Sequence, residues 1–252
     1  MSMANKKRIG IDARFYGPAN KGLGRYTQEI VDRVTAVDKN NDYVIFLARE
    51  NFDNFQPAGA NVKKVLADVR WYTLGEQIIM PKLIKQEKID LMHFPHFNVP
   101  WFCPFNYLVT IHDLILMKFP TVKASTLNPL FYWFKNLAYR LIISRAVRKA
   151  QLVMAVSEFT KKDILEKFKI KADKIQVTYL GVADAFLSSA ATKSDVLDKH
   201  NIKQPYLLYV GNAYPHKNLE WLIWAFSELN KKHPDLQLVL VGKEDYFYKR
   251  LK

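Results

Sequence analysis

The chain contains 252 residues, of which 49% are hydrophobic, and it carries a net charge of +14 and a single cysteine, Cys103. This composition excludes a disordered chain, an intramolecular disulfide and a metal site built from clustered thiolates. The residues before Arg8 are polar and basic, and no run reaches the roughly 18 apolar residues of a membrane span, so we predict a cytoplasmic protein.

Short runs rich in β-branched residues alternate with stretches of helical periodicity. The predicted strands are, in chain order, 8–15, 43–48, 62–66, 90–94, 107–111, 152–156 and 175–179. Helices are predicted from Tyr26 to Val37, at 74–88, where Pro81 is expected to kink or split the helix, and at about 128–149. Because this alternation is typical of βαβ units, we predict an α/β protein with a Rossmann-like, doubly wound parallel sheet.

A second sheet begins late in the chain. A polar segment is followed by a strand at 206–210, a helix beginning near Lys217 and a strand at 236–241, which form one βαβ unit. We predict an N-terminal domain at 1–185, a linker at 186–204 and an incomplete C-terminal domain at 205–252. Near-continuous apolar strands are typical of sheets covered on both faces, so further elements are expected to complete this second domain.

The first strand leads into a glycine-rich segment, GPANKGLGRY, and then into a helix. A glycine turn at a helix N-terminus offers backbone N–H groups and the positive end of the helix dipole to a phosphate. The spacing is neither GxGxxG nor a Walker A loop, which disfavours dehydrogenases and P-loop enzymes. A purely structural turn is the alternative for this segment.

Histidines follow two of the predicted strands. His112 and Asp113 come directly after one of them, and His93 and His96 lie in the segment HFPHFNVP. Ligands of open α/β sheets bind at the carboxyl ends of the strands, so these side chains are candidates for the wall of an active site. Local packing or capping is the alternative. Zinc is not expected, because Pro95 separates two loop histidines that lack a carboxylate partner.

Six segments occur in one order: GLGRY, HFPHFNVP, TIHDLILMKFP, AVSEFTKKDIL, QVTYLGVADAF and YVGNAYPHKNLEWLIWAF. Together they resemble glycosyltransferase family 4, the retaining sugar-nucleotide enzymes of GT-B fold, and especially its mannosyltransferase-like members. The resemblance extends from Arg8 to about Asp245. It implies two facing Rossmann-like domains, of which this chain would hold one complete domain and the first βαβ unit of the second.

The resemblance also implies the donor site. Gly22 and Gly24 would approach the diphosphate of a donor such as GDP-mannose or a UDP-hexose, and His112 would face its sugar. Lys217 would hold the diphosphate, with His216 beside it. No metal and no further cofactor is implied.

On the acceptor side the resemblance implies His96 and Asp113. Two positions depart from the family pattern: Asn212 and His216 stand where members often carry arginine, so the diphosphate pocket would be less cationic. The acidic segment with which members contact the donor sugar and ribose would lie beyond Lys252.

We therefore predict a retaining glycosyltransferase that moves a hexose, with mannose as a candidate, from a nucleoside diphosphate sugar to a glycan or lipid-linked acceptor, with activity that is absent or impaired in this chain. The alternative is a non-catalytic fragment that binds an acceptor or a partner chain. Between Lys123 and Lys174 there are twelve basic and four acidic residues. Since no nucleic-acid motif accompanies this charge, a nucleic-acid partner is not expected.

The predicted helix near 128–149 combines aromatic and basic residues. Phe131, Tyr132, Trp133 and Phe134 are consecutive, and arginines and lysines follow them. One interpretation is a helix that lies on an anionic membrane, at its cytoplasmic face, and meets a lipid-linked acceptor. The other is a helix whose aromatic residues pack in the core while the basic residues are solvated. Four consecutive aromatics cannot all share one helix face, so both interpretations stay open.

Overall fold

The computed structural model describes residues 6–119, 129–182 and 193–251. The chain divides into two compact units, one around a seven-stranded sheet and one around a two-stranded sheet. The boundaries placed at 185 and 205 stay a prediction. Within the described part of the predicted linker, Lys193–Lys199 form a helix.

The first unit is built on a parallel sheet with the strand order β3-β2-β1-β4-β5-β6-β7. The order reverses between β1 and β4, which makes the carboxyl ends of these two strands the topological switch point. The seven strands are β1 (Arg8–Asp12), β2 (Asp42–Leu47), β3 (Val62–Leu66), β4 (Leu91–Phe94), β5 (Tyr107–Ile111), β6 (Leu152–Ala155) and β7 (Ile175–Val177).

Helices connect these strands, and side chains on both faces of the sheet are buried. The connecting helices are α1 (Lys21–Val37), α2 (Arg49–Phe52), α3 (Leu74–Gln86), α4 (Ile115–Lys118), α5 (Pro129–Lys149) and α6 (Glu158–Phe168). On β2, Val44 and Phe46 belong to one hydrophobic cluster and Ile45 and Leu47 to another. Because alternate residues of a strand point to opposite faces, the sheet has a core on each side, and the predicted α/β fold is confirmed.

Several predicted boundaries differ from the structure: the helix predicted from Tyr26 begins at Lys21, for example, and the strand predicted at 175–179 ends at Val177. Three further differences have a physical reason. The first strand ends at Asp12, where Arg14 turns its side chain back onto Asp12, rather than at residue 15. The helix α3 runs through Pro81 unbroken, since proline removes one N–H donor but the buried Met80 and Ile84 anchor the turns on either side. The helix after Lys217 begins later, at Leu219.

The second unit contains the parallel strands β8 (Tyr206–Val210) and β9 (Gln237–Val241). Its helices are α7 (Lys193–Lys199), α8 (Leu219–Asn230) and α9 (Tyr246–Leu251). Large apolar side chains of the strands, Leu208 and Val210 among them, are exposed. Over the described parts of both units, no helix is long and apolar enough to cross a membrane.

Candidate active site at the carboxyl edge of the sheet

The glycine-rich segment turns the chain from β1 into α1. Gly17 has a φ of +98°, and a 3₁₀ turn at Pro18–Asn20 leads directly into the helix. A Cβ on Gly24 would overlap the carbonyl oxygen of Gly17 and lie 2.7 Å from that of Phe15, whereas a Cβ on Gly22 would meet no atom within 4 Å. Gly24 is therefore required by close packing, and Gly22 lies open at the helix N-terminus, where N–H groups lack intrahelical acceptors.

His112 follows β5 and is held from several sides. Its Nε2 lies 2.9 Å from the carbonyl oxygen of Pro95, and its own carbonyl accepts a hydrogen bond from Thr160 Oγ1 at 3.1 Å. The ring of Tyr26 meets it edge-on, with centroids 4.7 Å apart. Burial lowers the pKa of His112, although the Pro95 carbonyl and Asp113 act in the opposite direction. A neutral ring that donates from Nε2 to Pro95 presents Nδ1 as an acceptor.

A buried polar chain connects α1, β4 and β5 beside His112. The hydroxyl oxygen of Thr110 lies 3.0 Å from Tyr26 Oη and 2.9 Å from His93 Nε2. Burial, with the charge of His112 as a second cause, lowers the pKa of His93 to about 4. Thr110 was not predicted as a site residue from the sequence. For Tyr26, the signal that could have indicated a role in the site was its position at the end of the GLGRY segment.

His96 lies in a group of rings that we call the aromatic shelf, formed by Phe15, Trp71, His96 and Phe97. Phe15 stacks on Trp71 at 4.3 Å between centroids, and His96 lies 3.9 Å from Phe97 and 5.5 Å from Phe15. Burial, followed by the charge of His112, lowers the pKa of His96 to about 3. Among the described residues, neither His96 Nδ1 nor Trp71 Nε1 has a hydrogen-bond partner, although both atoms are buried.

Arg14, which follows β1, is fully buried and forms hydrogen bonds with two acidic side chains. Arg14 donates from Nε and Nη2 to the two oxygens of Asp12, at 2.8 and 2.7 Å, and from Nη2 to Glu76 at 2.6 Å. The same Glu76 oxygen accepts from Asn98 at 2.6 Å, and its other oxygen accepts from the Tyr72 N–H at 2.8 Å. Burial raises the pKa of Glu76 against the influence of Arg14. The network was not predicted, because no spacing in the sequence relates Arg14 to Glu76.

Asp113 has a local role in the structure. Its side chain is exposed, and Oδ1 accepts the N–H of Ile115 at 3.0 Å, at the start of α4. Among the described residues, no three His, Cys, Asp or Glu side chains converge as metal ligands would. His93 binds Thr110 and His96 lies in the aromatic shelf, so the two histidines of HFPHFNVP have different surroundings.

In the second unit, Lys217 closes a 3₁₀ turn, Pro215–Lys217, after β8. Its N–H donates to the Tyr214 carbonyl, and both Lys217 and His216 are exposed. Asn218 then adopts a left-handed conformation, with φ of +54°, which delays the start of α8 to Leu219. Beside this turn lies a cavity of about 310 Å³, lined by Ala213, Tyr214, Pro215, Asn218, Leu219, Glu220, Phe247, Arg250 and Leu251.

The chain resembles characterised proteins in sequence. It is 25% identical over 224 residues to O-antigen chain mannosyltransferase B of Escherichia coli, covering 82% of this chain and 56% of the relative. It is 26% identical over 248 residues to O-antigen chain mannosyltransferase RfbU of Salmonella typhimurium, covering 91% of this chain and 61% of the relative. The chain thus spans little more than half the length of these relatives.

Solved structures share the fold. The Anabaena protein HepE, in complex with UDP and glucose, matches with a TM-score of 0.61 at 16% identity, over 98% of this chain and 64% of HepE. Sucrose-phosphate synthase of Thermosynechococcus elongatus matches with a TM-score of 0.64 at 15% identity, over 96% and 63% of the two chains.

Two family descriptions match the chain itself. Residues 193–252 match "Glycosyl transferases group 1", and residues 20–186, which include α1, the histidine loops and α6, match "Glycosyltransferase Family 4". The fold, the order of the motifs and these matches agree: the chain belongs to glycosyltransferase family 4.

Proposed function

We propose that this protein transfers a hexose, with mannose as the first candidate, from a nucleoside diphosphate sugar to a hydroxyl group of a glycan or lipid-linked acceptor, with retention of configuration. The observation that carries the proposal is that Tyr26, in the second turn of α1, contacts His112, which follows β5 next to the switch point of the sheet. The names of the curated relatives support mannose. The UDP and glucose bound to HepE support a nucleotide-sugar donor.

The diphosphate would bind at the N-terminus of α1. Gly22 and Tyr26 are four residues apart, so they lie on one helix face, with Gly22 one turn of about 5.4 Å nearer the N-terminus. His112 contacts Tyr26, so a sugar at His112 places its diphosphate toward the Gly22 end of the helix. Backbone N–H groups there would stabilise the charge that develops on the leaving diphosphate. We assign the same task in the second unit to Lys217, with His216 beside it.

His112 would orient the donor sugar. Its Nε2 is engaged by the Pro95 carbonyl, so Nδ1 is the atom that accepts a hydrogen bond from a sugar hydroxyl. The lowered pKa keeps the ring neutral near pH 7, which preserves this acceptor. The role we assign is orientation of the sugar and stabilisation of positive charge on its ring, and not proton abstraction.

The acceptor would bind at the aromatic shelf. Rings at Phe15, Trp71 and Phe97 offer apolar surface to the face of a sugar ring, and buried polar atoms without partners are costly unless a ligand or water satisfies them. His96 Nδ1 is such an atom, and an acceptor hydroxyl that reaches it would satisfy it. Asp113 is assigned to the outer side of the same acceptor site.

Titration calorimetry with GDP-mannose and with UDP-glucose tests the donor site. Gly22→Pro removes one N–H in the first helical turn, where proline is tolerated, and Gly22→Ala keeps it. Loss of a hydrogen bond to a charged group weakens binding about tenfold or more, so the proline variant should bind tenfold less tightly than the alanine variant. Lys217→Ala should weaken binding too, while Lys231→Ala, which removes an exposed lysine paired with Glu228, should not.

If Gly22→Pro and Gly22→Ala bind the donor with equal affinity, the diphosphate does not bind at the N-terminus of α1. If a chain that is folded by circular dichroism binds neither donor, the sugar-transfer proposal fails for this chain. The alternative function would then stand: a domain that binds an acceptor or a partner chain without turnover. A glycan array then distinguishes binding of an acceptor from binding of a partner chain, since it detects acceptor binding in the absence of any donor.

A further inference from the structure

The aromatic shelf continues beyond Phe97. Two tyrosines from other segments contact this ring: Tyr139 of α5 edge-on, with centroids 4.9 Å apart, and Tyr72, which precedes α3, at 6.2 Å. We call Tyr72 and Tyr139 the phenol pair. Tyr72 is 54% exposed and Tyr139 is half-buried. Since Phe97 belongs to the shelf, ring contacts connect the phenol pair directly with the proposed acceptor site.

The backbone of Tyr72 is held in an unfavourable conformation. Its φ is +61°, in the left-handed region that a bulky residue rarely adopts. Its N–H donates to Glu76 Oε2 at 2.8 Å, and Glu76 is bound in turn by Arg14, so the buried network fixes this conformation. Backbone strain costs stability and is concentrated at functional sites. The ring of Tyr72 is exposed, so packing of the core does not account for the strain.

The hydroxyl groups of the phenol pair are available to a ligand. Within the part of the chain that the structure describes, neither hydroxyl forms a hydrogen bond. Burial raises the pKa of both phenols, followed by the charge of Glu76 at Tyr72 and of Asp113 at Tyr139. Both phenols are therefore neutral near pH 7, and each can donate one hydrogen bond and accept another, as a sugar hydroxyl does.

The charges that act on the phenol pair disfavour an anionic ligand. After burial, the largest influence on each phenol is a carboxylate, Glu76 or Asp113, ahead of the arginine that also acts on it. A phosphate is bound by cations and by converging N–H groups. Aromatic rings with neutral hydroxyl groups instead match a sugar, which offers an apolar ring face and hydroxyl groups at its edge.

We propose that the phenol pair is a second sugar subsite beside the aromatic shelf, and that the acceptor is a neutral oligosaccharide of at least two sugar units. The shelf receives the terminal sugar, and Tyr72 and Tyr139 bind the sugar that precedes it. This inference rests on the acceptor site proposed above. It adds the class of acceptor, an uncharged glycan end rather than a lipid phosphate, and the two residues that select it.

Titration calorimetry of the full chain without any donor tests the subsite. The probes are mannobiose, N,N′-diacetylchitobiose and lactose, each compared with the methyl glycoside of its terminal sugar. At least one disaccharide should bind about tenfold more tightly than its monosaccharide, as two added hydrogen bonds between neutral groups predict. The double variant Tyr72→Phe with Tyr139→Phe should lose this advantage and keep its affinity for the monosaccharide within about twofold.

Tyr179→Phe is the matched control. It removes a phenol hydroxyl of the same unit that is 73% exposed and lies outside these ring contacts, so both affinities should stay at the wild-type value. Farnesyl phosphate, an anionic lipid probe, should not displace a bound disaccharide. If it does, the phenol pair serves a lipid phosphate and the proposal is wrong.

Tyr72→Gly distinguishes a binding role from a structural one. Glycine adopts a positive φ without strain, which offsets the flexibility that it adds to the unfolded chain. The variant should keep the unfolding temperature of the wild type and lose the preference for the disaccharide. A lower unfolding temperature with an unchanged preference would assign Tyr72 to folding and contradict the subsite.

The second subsite and the proposed sugar transfer can fail separately. A wild-type chain that binds GDP-mannose, but binds no disaccharide more tightly than its monosaccharide, would overturn the subsite and leave the transfer standing. A chain that prefers a disaccharide through the phenol pair, but binds neither nucleotide sugar, would support the subsite while the transfer proposal fails.

Discussion

The ring of Tyr26 contacts the ring of His112 edge-on, and its hydroxyl group forms a hydrogen bond with Thr110 on β5, the strand that His112 follows. One side chain of α1 thus contacts the histidine that follows β5 and binds the strand itself. The helix whose N-terminus would receive the diphosphate and the residue that would receive the sugar are connected through this tyrosine. We infer that Tyr26 is a positioning residue.

Two substitutions of Tyr26 should have different effects on stability and on donor binding. Tyr26→Phe removes the hydrogen bond with Thr110 and should lower the free energy of unfolding by about 0.5–1.5 kcal/mol with little change in donor affinity. Tyr26→Leu also removes the ring edge from His112 and should weaken GDP-mannose binding in calorimetry. Tyr43→Phe, which loses a hydroxyl bonded to Asp38 at 2.7 Å, is the control. If it weakened donor binding as much as Tyr26→Leu, a general loss of stability would be the cause.

Gly22 and Gly24 should respond differently to the same substitution. Gly24→Ala places a methyl group against the carbonyl groups of Gly17 and Phe15, and we expect it to cost about 1–3 kcal/mol in urea unfolding. Gly22→Ala meets open space in a helix and should be neutral or stabilising by up to about 1 kcal/mol. Equal losses would show that α1 begins differently from the structure described above.

Arg14 should be essential for folding stability. Arg14→Leu leaves Asp12 and Glu76 buried without their cation, which should lower the free energy of unfolding by about 3–5 kcal/mol. Arg49→Leu removes an exposed pair with Asp68 and should change it by no more than about 0.5 kcal/mol. Guanidinium titrations of both variants give the comparison, and a mild effect of Arg14→Leu would contradict the buried network.

Stability should fall as the pH is lowered below about 6.5. The folded pKa of His93 is lowered to about 4, so between these pH values the unfolded chain binds more protons than the folded chain. From pH 7 to pH 5 this histidine should remove about 2 kcal/mol of stability. His93→Gln should flatten the dependence by that amount. Unfolding curves at several pH values measure it, and identical slopes for wild type and variant would contradict a buried neutral His93.

The fold could be predicted because its signals are local. The β2 run around Val44 and Phe46 is apolar at nearly every position, which is typical of a parallel strand buried on both faces, and the structure places it in the interior of the sheet. Helix ends were harder to predict. The delay of α8 to Leu219 depends on the left-handed backbone of Asn218, which no periodicity records.

The candidate site was only partly visible in the sequence. His112 and His96 follow strands in short motifs. They were predicted as site residues because ligands of open α/β sheets bind at the carboxyl ends of the strands. Thr110 and Arg14 act through partners that are distant in the chain: Arg14 binds Glu76, 62 residues away, and Thr110 binds Tyr26, 84 residues away. Such pairs become visible only when the strand order is known, because the sheet brings β1, β4 and β5 side by side.

The anchoring of the loop after β4 has an entropic consequence. Its start is held by the contact between the Pro95 carbonyl and His112. Asn98 donates to Glu76, which also accepts a hydrogen bond from Arg14. The loop is therefore ordered when the domain folds rather than when a ligand arrives. A sugar that binds there loses its own freedom of motion but does not have to immobilise the wall that receives it, which favours affinity from few contacts.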